Sequence, residues 1–231
     1  MFKALGALAG KFQRAVHQLK QDSQRWGPAR SAYILVMRNI AQYAGLHLAW
    51  VNRREIFRDP DVPAVPPSYS VRQLTADDYT SVIKAADVAL EMDEEFVTQV
   101  LDQGHFCVGA FYNERLVSYT WRAFSQTPVS DRFSLSIEKP NRYGYKALTL
   151  PEHRGKQLQN SINLFSDKLC FDTGYTSAVA FVETHNYASL ASDARRGNKQ
   201  VGWILWRDRH PLDFCYTSKG ARGAGVTLVR R

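Results

Sequence analysis

The sequence has little cysteine and no cluster with the spacing of a metal site. Three cysteines occur among 231 residues, at Cys107, Cys170 and Cys215, and none belongs to a Cys-x-x-Cys pair. An odd number of scattered cysteines argues against a disulfide framework and a zinc knuckle, and it favours a reducing, cytoplasmic location. No His and Glu residues are spaced as metal ligands, and no Ser, His and Asp residues are arranged as in a hydrolase. We therefore expect no metal cofactor.

A long apolar run is also lacking. No stretch reaches the roughly 20 apolar residues that a membrane span needs. The weak apolar run from Ala4 to Gly10 is broken by Lys11 and is followed by no convincing cleavage site, so we expect no signal peptide. With 45% hydrophobic and 23% charged residues, the composition is typical of a folded globular domain with an extension.

Acidic residues are scarce in the first quarter of the chain. Residues 1–60 contain 10 Lys and Arg against 3 Asp and Glu, whereas the other residues contain 20 against 19. The net charge of +8 therefore belongs almost entirely to the N-terminal segment. The near-neutral remainder, which has no strand motif combining aromatic and basic residues, argues against a nucleic-acid binder.

The N-terminal segment has the apolar spacing of a helix. Its apolar positions recur every three or four residues and predict a basic amphipathic helix that ends near Trp26. They are Phe2, Leu5, Ala9, Phe12, Val16 and Leu19. A second helix is predicted from Ala29 to Ala44. We favour packing of these helices on the domain or on a second copy of the chain in a homodimer. The alternative is peripheral contact of residues 1–45 with an anionic membrane, at its inner face.

Four prolines between Asp59 and Pro67 predict a stiff, extended linker. We place a domain boundary there, with a helical extension over residues 1–60, a linker over 61–67 and a catalytic domain over 68–231. The moderate alternation of Leu46–Ile56 predicts an extra strand inside the extension.

Alternating and helical patterns predict the elements of the domain. Strands are expected at Tyr69–Leu74, His105–Tyr112, Leu116–Phe124, Trp203–Arg207, Phe214–Ser218 and Val226–Val229. Helices are expected at Asp78–Leu90 and Asp93–Asp102, and Asn113-Glu114 is predicted to form a hairpin turn. The segment Ser125–Asn141 is predicted to be a looser, polar crossing.

The stretch from Tyr143 to Gly202 has the strongest functional signal. It predicts a strand at Tyr143–Leu150, a charged turn at Glu152–Lys156, a helix from Gln157 to Gly174 and a second strand at Thr176–Val182. At the start of such a helix the backbone N–H groups have no partner within the helix, and they bind anions. Arg154 and Lys156 beside them favour a phosphate.

These residues resemble two motifs of the GNAT family of acyl-CoA-dependent N-acetyltransferases. Leu150-Pro-Glu-His-Arg-Gly-Lys-Gln-Leu158 is similar to the first motif of the family, a strand end followed by a phosphate loop. In the second motif an Asn is followed by Ser three residues on and by Gly eleven residues on, as in Asn186, Ser189 and Gly197. The resemblance covers residues 69–218. It implies an α/β domain with a mixed, largely antiparallel central sheet flanked by helices.

The resemblance also implies the chemistry and the residues that bind the co-substrate. The expected reaction is transfer of an acyl group, most simply acetyl, from acetyl-CoA to a primary amine of a small molecule or amino sugar. A helical extension on such a domain resembles bacterial enzymes of surface-polysaccharide pathways. The residues expected to bind CoA are Leu148, Thr149, Leu150, Arg154, Gly155, Lys156, Gln157, Leu158, Gln159, Asn186 and Ser189.

Two candidates for catalysis follow, and some residues depart from the family pattern. Glu183, at the end of the second strand, is expected to act as base, with Tyr145 as the alternative. N–H groups near Leu148 to Leu150 are expected to meet the oxyanion. Gln157 and Gln159 replace the usual loop glycines, and Gln157 can present its N–H as long as its φ stays negative. Asp193 replaces the usual Tyr acid, so a non-catalytic CoA- or peptide-binding module is the second hypothesis.

Overall fold

The computed structural model describes residues 21–85 and 90–231 of the chain, and it shows helices around a large twisted sheet. The helices are α1 (Pro28–Asn39, continued by a π-helical turn at Ile40–Ala44), α2 (Ala76–Ala85), α3 (Glu94–Asp102), α4 (Leu158–Asp172), α5 (Tyr187–Arg195) and α6 (Lys219–Gly223). The strands are β1 (Leu46–Glu55), β2 (Tyr69–Gln73), β3 (Phe106–Tyr112), β4 (Arg115–Ala123), β5 (Thr127–Pro128), β6 (Phe133–Ile137), β7 (Asn141–Thr149), β8 (Ser177–Glu183), β9 (Lys199–Arg207), β10 (Phe214–Thr217) and β11 (Val226–Arg230).

The main sheet has eight strands in the order β10-β9-β1-β8-β7-β4-β3-β2. All of its neighbouring strands are antiparallel except β7 and β8, which α4 connects in parallel. A parallel pair needs a long crossover connection, and the helix predicted after Gln157 supplies it. The predicted fold class, a mixed and largely antiparallel sheet flanked by helices, is confirmed.

The segment Ser125–Asn141 is more ordered than its polar composition predicted. It contains β5 and β6, which form a second sheet with β11 in the order β11-β6-β5. Phe133 and Leu135 of this sheet are fully buried against the main sheet. Its polar composition favours a loose crossing, but Ser residues alternate with its apolar residues, and that alternation is the pattern of a strand with one buried face.

Strand β1 belongs to the predicted extension, residues 1–60. It lies in the middle of the main sheet, paired with β8 from Ala49 to Glu55 and with β9 from Leu46 to Arg53. Ala49 and Val51 are fully buried, so the residues before the proline-rich segment contribute to the core of the domain. The local pattern of Leu46–Ile56 predicted a strand, but it did not predict which strands would pair with it.

Helix α1 packs against the domain. The hydroxyl of Tyr33 is 2.6 Å from the hydroxyl of Thr184, and the ring of Trp26 lies 5.9 Å from that of Tyr187. This contact agrees with the packing that we favour for the second predicted helix. The predicted first helix falls mainly on residues 1–20, outside the described residues, so membrane contact and dimer formation stay predictions. Among the described residues, no helix is long and apolar enough to span a membrane.

Candidate active site

Strands β7 and β8 separate and leave a cavity between them. They pair only from Asn141 to Tyr143, opposite Ser177 to Val179, after which β7 follows β4 and β8 follows β1. The cavity has a volume of about 850 Å³. Its walls are residues 144–149 of β7, residues 178–183 of β8 and parts of α4 and α5. Parallel strands that diverge therefore expose backbone polar groups inside the domain, where a ligand can bind.

Most of the predicted site residues line this cavity. These are Tyr145, Leu148, Thr149, Arg154, Gln159, Glu183, Asn186 and Ser189. Gly155, Lys156, Gln157, Leu150 and Leu158 do not line it, and the last two are buried in the core. The N–H of Leu150 donates to the carbonyl oxygen of Val117 at 3.0 Å, so the prediction that it meets an oxyanion is wrong. The ammonium of Lys156 donates to the carbonyl oxygen of Glu152 at 2.9 Å.

The turn before α4 has an unusual backbone. Gly155 has φ +80° and Gln157 has φ +56°, so two residues of the turn are left-handed. The negative φ that Gln157 would need to present its N–H is therefore not adopted. Glycine adopts this conformation freely, whereas a residue with a Cβ pays about 1–2 kcal/mol for it. Arg154 holds the turn by donating from Nε to the carbonyl oxygen of Thr149 at 3.1 Å.

The strain at Gln157 leads to a prediction about stability. We expect Gln157→Gly to raise the free energy of unfolding by roughly 0.5–1 kcal/mol, because the strain relieved exceeds the entropy that glycine adds to the unfolded chain. Gln159→Gly is the matched control, since the same change inside α4 removes side-chain hydrogen bonds and lowers helix propensity. Urea unfolding measures both variants. A destabilised Gln157→Gly variant would show that the turn is not strained.

Gln159, the second residue that replaces a loop glycine of the family pattern, has a structural role. Its side-chain amide donates to the carbonyl oxygens of Tyr119 and Leu148, each at 2.8 Å, and lies 3.0 Å from the hydroxyl of Ser118. The pairing of β4 with β7 shifts register at this point, and Lys146 has φ +46°. Gln159 therefore joins the first turn of α4 to the irregular part of the sheet.

Asn186 begins α5 as an N-cap. Its side-chain oxygen accepts a hydrogen bond from the N–H of Ser189 at 3.2 Å, and both residues line the cavity. Diverging parallel strands, a basic turn before α4 and an Asn-capped α5 form the arrangement that the resemblance implied. The domain has a GNAT-like fold.

Asp193 does not replace the missing acid of the GNAT motif. It is 1% exposed and accepts hydrogen bonds from Asn52 at 2.7 Å, from Arg196 at 3.3 Å and from Asn198. These hydrogen bonds join β1 to α5 through the buried side chain of Asp193.

Glu183 lies between two histidines. Its Oε1 is 2.8 Å from Nδ1 of His47, and its Oε2 is 3.3 Å from Nε2 of His185. Burial acts to raise the pKa of Glu183, but the His47 hydrogen bond and the charge of His185 outweigh it and hold the pKa below its ordinary value. Because a carboxylate only accepts, His47 donates from Nδ1, and its Nε2 is 3.6 Å from Asp208. His47 belongs to β1, so sequence reasoning missed it.

Tyr145 has a different neighbour. Its hydroxyl is 2.8 Å from Nδ1 of His105, and its ring stacks on Tyr143 with a centroid distance of 5.6 Å. Burial raises the pKa of Tyr145 and lowers the pKa of His105 to about 4, so both are uncharged at neutral pH. Tyr143 is 7% exposed and packs in the core, as expected for one of the two tyrosines.

The cavity is more basic than the motifs predicted. Besides Arg154, its cationic lining residues are Arg54, Arg122, Arg142, Lys146, Arg195 and Arg196. They come from β1, β4, β7 and α5, and only the fold brings them together. Within the described residues, no group of three or more His, Cys, Asp and Glu side chains is placed to hold a metal ion. A cavity with this charge suits a ligand that carries phosphates or carboxylates.

Comparison with known proteins gives structural likenesses only. No protein-family model and no curated protein matches the sequence. A tandem GNAT protein from the clavulanic acid biosynthesis pathway is similar with a TM-score of 0.48 and 18% identity, over 84% of this chain and 57% of that one. A GCN5-related N-acetyltransferase from Kribbella flavida has a TM-score of 0.39 and 15% identity, over 65% and 52%.

A third solved structure is the PaiA N-acetyltransferase from Thermoplasma acidophilum in complex with coenzyme A. Its TM-score is 0.39 and its identity 16%, over 64% of this chain and 96% of that one. The chain thus spans little more than half of the length of the other two proteins. These TM-scores are below 0.5, so none of these likenesses is evidence for an activity of this chain. The strands, the turn before α4 and the cavity are the evidence for its fold.

Proposed function

We propose that the protein is an acyl-CoA-dependent N-acyltransferase that transfers acetyl from acetyl-CoA to a primary amine of a small molecule or amino sugar. The observation that carries this proposal is the cavity between β7 and β8. Arg154, Asn186 and Ser189 line it beside the helix starts, and Glu183 and Tyr145 line its walls. An anion site and an acid-base pair in one cavity are what acyl transfer from a phosphorylated carrier needs.

The co-substrate would be anchored by its pyrophosphate. The first hydrogen bond of α4 begins at the N–H of Asn160, so the N–H groups of Leu158 and Gln159 have no partner within the helix. These groups and the guanidinium of Arg154 would contact the phosphates. The acyl end would then lie along β7, toward Tyr145.

In the proposed reaction the amine attacks the thioester carbonyl directly. Glu183 takes the proton that the attacking nitrogen loses, because its lowered pKa keeps it a carboxylate at neutral pH. The N–H groups of Leu148 and Thr149 are the candidates for the oxyanion, since that of Leu150 is occupied. We assign the protonation of the leaving thiolate, as the tetrahedral intermediate collapses, to Tyr145, which is an uncharged phenol at neutral pH.

Removing the Arg154 guanidinium tests the co-substrate site. We expect Arg154→Ala to weaken acetyl-CoA binding at least tenfold in calorimetry, because a charge-assisted hydrogen bond contributes roughly 1.5–3 kcal/mol. Lys156→Ala is the matched control, since Lys156 lies in the same turn but does not line the cavity. Its effect should be smaller. Wild-type protein that binds no acetyl-CoA at millimolar concentration would contradict the proposal.

The second candidate function is a CoA-binding module without catalysis. The left-handed Gln157 and the fully bonded Asp193 favour it, because both depart from the GNAT pattern at positions used for binding and proton transfer. Thiol release from acetyl-CoA with a panel of amines and amino-sugar nucleotides distinguishes the two functions. Binding without release for every amine would favour the module.

A further inference from the structure

Three buried arginines line the cavity, and two of them donate hydrogen bonds to one buried carboxylate. We call Arg54, Arg122, Arg142 and Asp167 the arginine floor. Arg122 is fully buried, and the side chains of Arg54, Arg142 and Asp167 are 9%, 3% and 1% exposed. Three positive charges against one negative charge leave the arginine floor with a net positive charge. None of these residues belongs to the motifs that indicated the co-substrate site.

Asp167 is shared by two of the arginines. Its Oδ2 accepts from Arg54, and its Oδ1 accepts from Nε of Arg142 at 3.0 Å. Burial acts to raise the pKa of Asp167, but Arg142 and Arg54 hold it below its ordinary value, so it is a carboxylate. Both of its oxygen atoms are therefore occupied by Arg54 and Arg142, and Arg122 forms no ion pair with it, although the charge of Asp167 acts on Arg122.

Arg122 has only neutral partners. Its four hydrogen bonds go to the hydroxyls of Ser166 and Thr120, the side-chain oxygen of Asn163 and the carbonyl oxygen of Trp121. Among residues 21–85 and 90–231, none forms an ion pair with it. A guanidinium has five N–H donors, so Arg122 also has an N–H left to donate. A buried charge without a counter-charge is costly, and a bound anion would remove that cost.

The absence of a side chain at Gly144 lets two guanidinium groups lie against its backbone. A Cβ on Gly144 would lie 2.8 Å from Nη1 of Arg122 and 3.2 Å from Nη1 of Arg142. The two nitrogen atoms thus lie no more than about 6 Å apart, close enough for like charges to repel strongly. In the described part of the chain, Nη1 of Arg142 has no hydrogen-bond partner. Gly144, Arg122 and Arg142 all line the cavity.

We propose that the arginine floor binds a carboxylate or phosphate group carried by one of the two substrates. The inference rests on the proposed acyltransferase function and names its substrate class as acidic. The pyrophosphate of the co-substrate is not this anion. From Arg142 to Thr149, where Arg154 is held, β7 extends for roughly 20 Å, too far for one phosphate to contact both ends. The acidic group belongs to the acyl chain or to the amine acceptor.

Two pairs of probes that differ by a carboxylate distinguish these sources. Succinyl-CoA and butyryl-CoA have acyl chains of equal length, and calorimetry compares their affinities. The amines β-alanine and propylamine form the second pair, and thiol release from acetyl-CoA compares their kcat/KM values. We expect the acidic member of one pair to be favoured at least tenfold, the effect of one charge-assisted hydrogen bond. Preference for succinyl-CoA assigns the anion to the acyl chain, and preference for β-alanine assigns it to the acceptor.

Two variants link the preference to the arginine floor. Gly144→Ala places a methyl group against both Nη1 atoms, and Arg54→Gln removes one positive charge while leaving Arg142 to pair with Asp167. Each should reduce the preference to about threefold or less, as expected when a charge-assisted contact is lost. Arg53→Gln is the matched control, because Arg53 is the next residue of β1, faces the other side of the sheet and bonds to Asn141 and Ser177. The Arg53→Gln variant should prefer the acidic probe as strongly as the wild type does.

Thermal unfolding tests the anion site at the arginine floor independently of the proposed acyltransferase function. Sodium succinate or sodium phosphate should raise the Tm of the wild type above its value in sodium chloride at equal ionic strength, and Gly144→Ala should abolish the increase. If acetyl-CoA does not bind but this increase is present, the acyltransferase proposal fails and the arginine floor stands as an anion site. If protein that binds acetyl-CoA shows equal affinity for the two acyl-CoAs and equal kcat/KM for the two amines, the proposal that the arginine floor binds an anion is wrong. The lack of any anion-specific increase in Tm would also overturn that proposal.

Discussion

Replacing Glu183 by Gln is expected to lower kcat for acyl transfer about 100-fold or more, since a positioned general base contributes roughly 10²–10⁴. Gln has nearly the same shape and keeps a contact to His47, but it cannot take the proton of the attacking amine. Acetyl-CoA affinity should change little, because the change lies away from Arg154 and the start of α4. Steady-state kinetics with a reactive amine and calorimetry with acetyl-CoA measure the two quantities separately.

The pH profile gives an independent check of this role. Because its neighbours hold the pKa of Glu183 below its ordinary value, the carboxylate stays ionised through the neutral range and loses its charge only in acid, below the ordinary range of a glutamate. Glu152→Gln is the matched control, since Glu152 is exposed and does not line the cavity. A Glu183→Gln variant with unchanged kcat would transfer the role to Tyr145 or to a chain of water molecules.

Asp167→Asn is expected to have the largest effect on stability. The carboxylate accepts hydrogen bonds from Arg54 and Arg142, and all three side chains are less than 10% exposed. Asn removes the negative charge and leaves the positive charges of the arginine floor uncompensated. Removing one partner of a buried ion pair typically costs 3–5 kcal/mol, so we expect the free energy of unfolding to fall by about that amount. Urea unfolding monitored by circular dichroism measures it.

Asp172→Asn is the matched control on the same helix. Asp172 pairs with Arg58 at 3.5 Å, but their side chains are 55% and 72% exposed, so the loss should be less than about 1 kcal/mol. The pH dependence follows from the lowered pKa of Asp167. Its contribution is present above the unfolded pKa of about 3.9 and is lost as the pH falls through the lower folded value. Equal effects of the two substitutions would show that the arginine floor does not need its carboxylate.

Short-range patterns predicted most of the individual elements. The hairpin turn at Asn113-Glu114 has φ values of +47° and +61°, as two-residue turns between twisted strands require. Asp93 caps α3 by accepting from the N–H of Phe96, as its position before an apolar run indicated. Caps, turns and periodicity depend on neighbours within about four residues, and these neighbours are adjacent in the sequence.

Part of the candidate site could be predicted in the same way. The charged turn at Arg154, the Asn186 cap and Glu183 at a strand end lie in one stretch of chain, and all three line the cavity. The outward position of Lys156 and the left-handed backbone of Gln157 could not be predicted, because they depend on how the turn is held against β7.

The sequence by itself determined most of the strands and helices, though not β5, β6 and α6, together with the parallel crossover around α4 and the basic turn that begins it. Only the tertiary structure decided that β1 enters the sheet between β8 and β9, and with this strand come His47 beside Glu183 and Arg54 beside Asp167. The physical reason is that strand pairing is made by backbone hydrogen bonds, which are the same for every residue. A strand pattern therefore predicts that a segment will pair, but the partner is selected by the packing of the whole domain.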